Sequence, residues 1–181
     1  SDITDYKALQ DQLEHEAAHD PLTGLPNRRA FTLRLSRELE RVHQNAEPLG
    51  LLFLDLDGFK GINDRLGHHV GDALLQRFAE VLAAEVRPGD MVARLAGDEF
   101  TIILPALRQP ELELPALCER LLAAMAVPAD VAGHPLPLAG SIGGALCRSG
   151  QYCHIDDLLH RADSAMYRAK QAGKGRFALD L

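Results

Sequence analysis

Two acid-bearing turns are the places in this sequence where residue type and spacing could do chemistry. The first is Asp55-Leu56-Asp57-Gly58-Phe59-Lys60, where an apolar run from Leu49 ends in two carboxylates, a glycine and the start of a helix. Carboxylate oxygens suit a hard cation such as magnesium, and a glycine turn opening a helix exposes backbone N–H groups that can hold phosphate oxygens. The second is Ala96-Gly97-Asp98-Glu99, which joins two short strand-like segments, Met91–Leu95 and Phe100–Leu104, in the pattern of a β-hairpin. Each turn alone has an ordinary structural reading, because strands end in polar turns and turns favour Asp and Gly. Two acid clusters, distant in sequence and both at strand ends, predict a shared sheet that brings them together around a metal.

The elements that must position these turns follow from periodicity. A helix over about Tyr6–His19 has Tyr6, Leu9, Leu13 and Ala17 on one stripe and resembles a stalk more than a core helix. Asp20-Pro21 breaks it, Thr23-Gly24-Leu25-Pro26-Asn27 is turn chemistry, and a second helix runs from about Arg28 to Val42. Leu49–Asp55 is apolar throughout, as a strand buried on both faces must be, so an acid at its end stands out. A helix over Asp72–Val86 is stopped by Arg87-Pro88-Gly89-Asp90. A helix (about Glu111–Met125), a strand or two within Leu136–Cys147, a helix (about Ile155–Ala172) and a last strand (Arg176–Leu179) complete an α/β sandwich, a sheet with helices packed on it.

Bulk properties narrow the partners. A chain of 181 residues with 46% hydrophobic content has the size of one domain with a real core. The net charge of −7 argues against a nucleic acid or a direct membrane contact, since both would repel it, whereas a small nucleotide chelated by metal escapes that objection. Cys118, Cys147 and Cys153 show no C-x-x-C spacing and cannot all pair, which predicts reduced thiols in the cytoplasm. No apolar run approaches the roughly 20 residues that span a bilayer, and no stretch of this sequence reads as a signal peptide. The opening, Ser1-Asp2-Ile3-Thr4, lacks an initiator Met and suggests a piece of a longer protein.

Four segments in order, Asp20-Pro-Leu-Thr-Gly-Leu-Pro-Asn-Arg-Arg29, Asp55-Leu-Asp-Gly-Phe-Lys-Gly-Ile-Asn-Asp64, Gly67-His-His-Val-Gly-Asp72 and Ala96-Gly-Asp-Glu-Phe100, resemble the GGDEF, or diguanylate cyclase, family. The resemblance runs from about residue 18 to 179 and includes Ala162-Asp-Ser-Ala-Met-Tyr-Arg-Ala-Lys-Gln-Ala-Gly173. It divides the chain into a coupling helix, residues 1–18, and a GGDEF domain, residues 19–181. It implies an α/β (α+β) sandwich like class III nucleotide cyclases, with a ferredoxin-like central sheet, and condensation of two GTP into cyclic di-GMP with release of two pyrophosphates at a homodimer interface. By resemblance, Asp55, the carbonyl of Leu56, Asp98 and Glu99 hold two Mg2+ or Mn2+ ions, and Asp98 or Glu99 takes the proton of the attacking 3′-hydroxyl. Phe59, Lys60, Lys170 and Lys174 match phosphate-binding positions, and Asn63 and Asp72 match the pair that reads guanine. A carboxylate accepts from N1–H and the 2-amino group and an amide pairs with O6 or N3, although both residue types are also good helix caps. Arg87 and Asp90, with Arg94 as a helper, match the R-x-x-D site at which cyclic di-GMP inhibits; the same residues also make an ordinary turn. Asp2-Ile3-Thr4 and the stripe resemble the exit from a PAS-like sensor domain.

Three departures and one rival motif complete the reading. Ala96 stands where the family has Gly, and its methyl would crowd a nucleotide or resist a positive φ; Lys174 replaces the usual Arg, and Gly175 the usual Asn. Ala96 is the ground for an alternative, a catalytically impaired module that binds GTP or cyclic di-GMP as a regulatory receptor. His15-Glu16-Ala17-Ala18-His19 matches the H-E-x-x-H of zinc peptidases. Only 14 residues precede it, too few for the supporting sheet of such an enzyme. His68 and His69 read as helix-start residues, since magnesium prefers oxygen.

Overall fold

The computed structural model describes residues 2–181, so of the expected coupling helix, residues 1–18, only Ser1 lies outside the described residues. Six helices and seven strands follow one another as α1 (Asp2–Ala18), α2 (Arg28–His43), β1 (Leu49–Leu56), α3 (Phe59–Leu66), α4 (His68–Glu85), β2 (Met91–Ala96), β3 (Glu99–Leu104), α5 (Pro110–Ala126), β4 (Ala129–Val131), β5 (His134–Leu136), β6 (Gly140–Cys147), α6 (Ile155–Gln171) and β7 (Phe177–Asp180). The main sheet has the order β2-β3-β1-β6-β7. Its first four strands each run antiparallel to their neighbours, which with the crossovers through α3–α4 and α5 is the ferredoxin-like arrangement; β7 adds to β6 in parallel.

Side-chain alternation in β1 explains why the sheet sits between two helical layers. Leu52, Leu54 and Leu56 enter one apolar cluster with α4 and α5, through Leu74, Phe78, Leu114 and Leu121. Leu49, Leu51 and Phe53 enter the other with α2 and α6, through Phe31, Leu35, Leu158 and Met166. Asp55 continues the second set and so lies on the α2–α6 face. Helix ends have local causes: Asn27 caps α2 by accepting from the Ala30 N–H at 3.0 Å, and α6 has Asp156 and Asp157 in its first turn with Arg168 and Lys170 in its last, as its dipole favours.

The packing of α6 on β6 depends on one glycine. A Cβ at Gly143 would meet the backbone nitrogen of Met166 at 2.0 Å and the carbonyl oxygen of Ala162 at 2.2 Å, so helix and strand backbones approach with no side chain between them. This contact sets the height of α6, and with it Lys170, above the sheet.

Several expectations change. The helix expected from Asp72 starts at His68, because Gly67 (φ 91°) both ends α3 and starts α4; His68 and His69 open α4. A small hairpin, β4–β5, appears just ahead of the Leu136–Cys147 segment, where no strand was expected. The β2–β3 hairpin is tighter than its sequence suggested, with Ala96 and Glu99 already paired and only Gly97 and Asp98 in the turn. The cysteines were expected to be reduced, yet Cys147 and Cys153 form a disulfide. The loop from β6 to α6 brings their Cα atoms to 6.2 Å, a separation that admits the bond. Cys118 stays free and buried, and burial, followed by the charge of Glu119, pushes its thiol up to about 12. No helix among the described residues is long and apolar enough to cross a membrane. The stripe of α1 is exposed at Tyr6, Leu9 and Leu13.

Candidate active site

The β1–β3 register places Asp55 directly across from Glu99, and the Gly97–Asp98 turn then carries Asp98 to Asp55. Burial, then the hydrogen bond and charge of Asp55, push the Asp98 carboxyl up to about 7; the nearby Lys170 ammonium opposes this. Lys170 reaches from the last turn of α6 to donate to Asp55 Oδ2. Asp55 Oδ1 is buried without a partner. Two adjacent carboxylates with one lysine and an orphaned oxygen are short of positive charge and offer oxygen donors only, which fits a magnesium- or manganese-type ion. Among the described residues no three side chains of His, Cys, Asp or Glu form a metal cluster. Leu56 pairs with Gly140 at the end of β1 with its side chain in the core, which leaves only its backbone to serve the site.

Helix α3 starts at Phe59, just past the end of β1 that carries Asp55. Gly58, left-handed at φ 72°, starts α3 without a side-chain cap, so the first amides of the helix, at Phe59 and Lys60, are free of protein acceptors of that kind. Phe59 packs on the core and fixes this turn; Lys60 is exposed.

Asp57 was singled out only as the second acid of the turn, and its role emerges from contacts far away in sequence. Its carboxylate accepts from Ser141 Oγ at 2.8 Å and from the Gly175 N–H at 2.9 Å. It therefore ties the loop that carries Lys174 to the end of β1. Lys174 itself is exposed and left-handed at φ 63°.

Neither Asn63 nor Asp72 caps a helix. Asn63 lies inside α3 and Asp72 inside α4, so the capping alternative fails at both. The two helices share Gly67, and their crossing places the Asn63 amide against Gly71, the residue before Asp72; Asn63 Oδ1 is buried there without a partner.

Ala96 does not adopt the positive φ that its methyl would resist. That conformation falls on Gly97, at φ 50°, and Ala96 is exposed at the end of β2. The conformational objection to this hairpin is removed.

Arg87 and Asp90 form a closed turn on the other side of the domain. Asp90 Oδ2 accepts from the Arg87 N–H at 2.9 Å, and the Arg87 guanidinium donates to Asp90 Oδ1 at 3.3 Å and to the Pro105 carbonyl at 3.1 Å. They border a groove of about 290 Å³ together with Leu104, Leu107, Leu112 and Arg120. Arg94 does not join them. Its guanidinium grips both oxygens of Asp20 at 3.1 Å and donates to the Gly97 carbonyl at 2.8 Å, locking the 20–26 loop to the active hairpin. Burial works against ionisation of Asp20, but hydrogen bonds from Thr23 and Arg94 outweigh it and hold the carboxyl below its usual range. On α1, the His15 and His19 rings stack at 3.8 Å, and His19 Nδ1 lies 2.8 Å from the His15 carbonyl.

A ferredoxin-like sheet whose central strands end in paired carboxylates beside an uncapped helix start has the groups that suit a phosphate held through a metal. Comparison with known proteins makes this specific. The family described as diguanylate cyclase, GGDEF domain, matches residues 17–176, and the chain belongs to it. Diguanylate cyclase TpbB from Pseudomonas aeruginosa is 40% identical over 189 residues, covering 94% of this chain and 42% of TpbB. The bifunctional diguanylate cyclase/cyclic di-GMP phosphodiesterase MucR of the same species is 41% identical over 162 residues, covering 89% of this chain and 23% of MucR. This chain thus spans less than half the length of these relatives. The crystal structure of the coiled coil and GGDEF domain of DgcB from Caulobacter crescentus, in complex with c-di-GMP, superposes with a TM-score of 0.90 at 26% identity, covering 99% of this chain and 94% of that one.

Proposed function

We propose that this chain is a diguanylate cyclase domain. Two copies, each holding one GTP, face each other so that each ribose 3′-hydroxyl attacks the α-phosphate of the other nucleotide, two phosphodiester bonds form and two pyrophosphates leave. The observation that carries this reading is the juxtaposition of Asp98 and Asp55 at the sheet end, short of one positive charge. Asp55, the Leu56 carbonyl, Asp98 and Glu99 would hold two Mg2+ or Mn2+ ions, which when bound neutralise charge on the α-phosphate and the departing pyrophosphate. The Asp98 carboxylate, pushed towards neutral pH by its setting, or that of Glu99, accepts the 3′-hydroxyl proton. The amides of Phe59 and Lys60, with Lys60, Lys170 and Lys174, hold the outer phosphates, and Asn63 and Asp72 read guanine.

The regular backbone of Ala96 supports an active enzyme over the impaired receptor. Pyrophosphate release from GTP and Mg2+ separates the two: the cyclase releases it, and a receptor binds GTP without doing so. GTP is a cytoplasmic nucleotide, which agrees with a cytoplasmic location. The exposed stripe of α1 suits residues 1–18 as a coupling helix that pairs with a second copy and follows a PAS-like sensor domain, with residues 19–181 as the GGDEF domain.

We assign product inhibition to the Arg87–Asp90 turn, where a guanidinium half open to solvent offers a fork to phosphate or guanine edges. Arg87→Ala is expected to weaken cyclic di-GMP binding at least tenfold by calorimetry, a loss of about 1.4 kcal/mol, while GTP turnover at low product is kept. Unchanged affinity contradicts the assignment. Arg94, committed to Asp20 and Gly97, enters as a support of the catalytic hairpin instead.

A further inference from the structure

We propose that Gly71 is a positioning residue for nucleotide selection: its missing side chain is the socket that orients the Asn63 amide. The inference rests on the reading of Asn63 as a guanine contact and extends it to a residue that touches no nucleotide.

Backbone conformation does not call for glycine at this position. Gly71 lies inside α4, its N–H donates to the Gly67 carbonyl at 3.1 Å, and its φ is not in the left-handed region. Glycine is a poor helix former, so its presence works against α4. Space is what it supplies. A Cβ on Gly71 would lie 1.7 Å from Asn63 Oδ1, 2.8 Å from its Cγ and 3.4 Å from its Nδ2. The amide oxygen occupies the volume that any other side chain would fill.

In this arrangement the oxygen end of the amide faces in. Oδ1 is turned inwards against Gly71, buried and without a partner, so Nδ2 is the end left to serve the site. Asn63 therefore presents a donor, and Asp72, exposed on the next residue of α4, presents an acceptor. Guanine matches this pair, with O6 and N3 as acceptors and N1–H and the 2-amino group as donors. At the O6 edge adenine carries an amino group, so the Nδ2 donor finds no acceptor there, and adenine lacks the N1–H and 2-amino donors that Asp72 accepts from, whereas N3 is common to both bases. With a methyl at position 71, Asn63 is expelled from its socket and the donor is lost or turned.

The test uses the intact chain, with GDP and ADP as probes so that no turnover intervenes, in Mg2+ buffer by calorimetry, together with thermal melts. Asn63→Ala is expected to weaken GDP at least tenfold and leave ADP unchanged. Gly71→Ala is expected to do the same and to lower the melting temperature. In the double variant the methyl fills the space the amide has left. GDP affinity then falls no further than in Asn63→Ala, and the double variant melts above Asn63→Ala because alanine favours the helix. Losses that multiply in the double variant, or normal GDP affinity in folded Gly71→Ala, overturn the role of Gly71. Should Gly71→Ala not fold, the double variant decides: a folded double variant supports the socket, and an unfolded one overturns it. GDP binding untouched by Asn63→Ala overturns the guanine reading itself, and with it this inference.

Discussion

Asp98→Asn is expected to lower cyclic di-GMP production roughly a thousandfold, within the range for loss of a proton acceptor and metal ligand, while making the metal-free protein more stable. Function and stability oppose each other at this residue. Burial and the Asp55 carboxylate push the Asp98 carboxyl up to about 7, so near and above that pH the folded chain holds two repelling charges that the unfolded chain separates. The isosteric amide removes one of them. Because the turn is half open to solvent, screening limits the gain to about 1 kcal/mol. Thermal melts in EDTA should show the variant above the parent, and adding Mg2+ should raise the parent only. A variant that melts lower in EDTA, or retains synthesis, contradicts the site as described.

The second large effect is expected where α6 rests on β6. Gly143→Ala places a methyl 2.0 Å from the Met166 backbone nitrogen, and no rotamer change relieves a clash with backbone. Helix α6 must lift from β6, at a cost of about 3 kcal/mol, the upper range for overpacking, measured by urea denaturation. Lifting α6 also draws Lys170 from Asp55, so the folded fraction is expected to lose GTP turnover as well. A loss below about 1 kcal/mol would show that the contact has slack.

How much of this was legible in the sequence depended on how local each cause was. Strand β1 was plain because a strand buried on both faces reads as an unbroken apolar run, and the acid at its end was conspicuous for the same reason. The 97–98 turn was legible from Gly97-Asp98 between two short strand-like segments, and the order of elements carried a sheet with helices packed on it, while its ferredoxin-like arrangement came with the family resemblance. Contacts across long separations were not legible. Arg94 reads like a neighbour of Arg87 and Asp90, yet its partner Asp20 lies 74 residues away. Asp57 serves a loop 118 residues on, through the Gly175 amide. Gly71 gives no sign in a helical sequence because its reason is the volume of a side chain from another helix. The β4–β5 hairpin escaped because its three-residue strands are too short for a period to show. The Cys147–Cys153 pair depends on the path of the loop from β6 to α6, which spacing alone does not fix.

Arg94 also shows how the N-terminal helix is joined to the chemistry. The 20–26 loop that leaves α1 is fastened through Asp20 to a guanidinium that also holds the Gly97 carbonyl. The backbone adds a second tie, from the Arg94 N–H to the Pro26 carbonyl at 3.0 Å. The turn that presents Asp98 is thus built against the exit of α1.

The central claim is that paired carboxylates at the end of β1 and in the 97–98 turn make cyclic di-GMP between two copies of this chain. The most direct measurement is chromatographic detection of cyclic di-GMP from GTP and Mg2+ over a series of protein concentrations. The account predicts cyclic di-GMP with two pyrophosphates per product, at a rate per chain that rises with concentration. Bound GTP with no cyclic di-GMP at any concentration would contradict it.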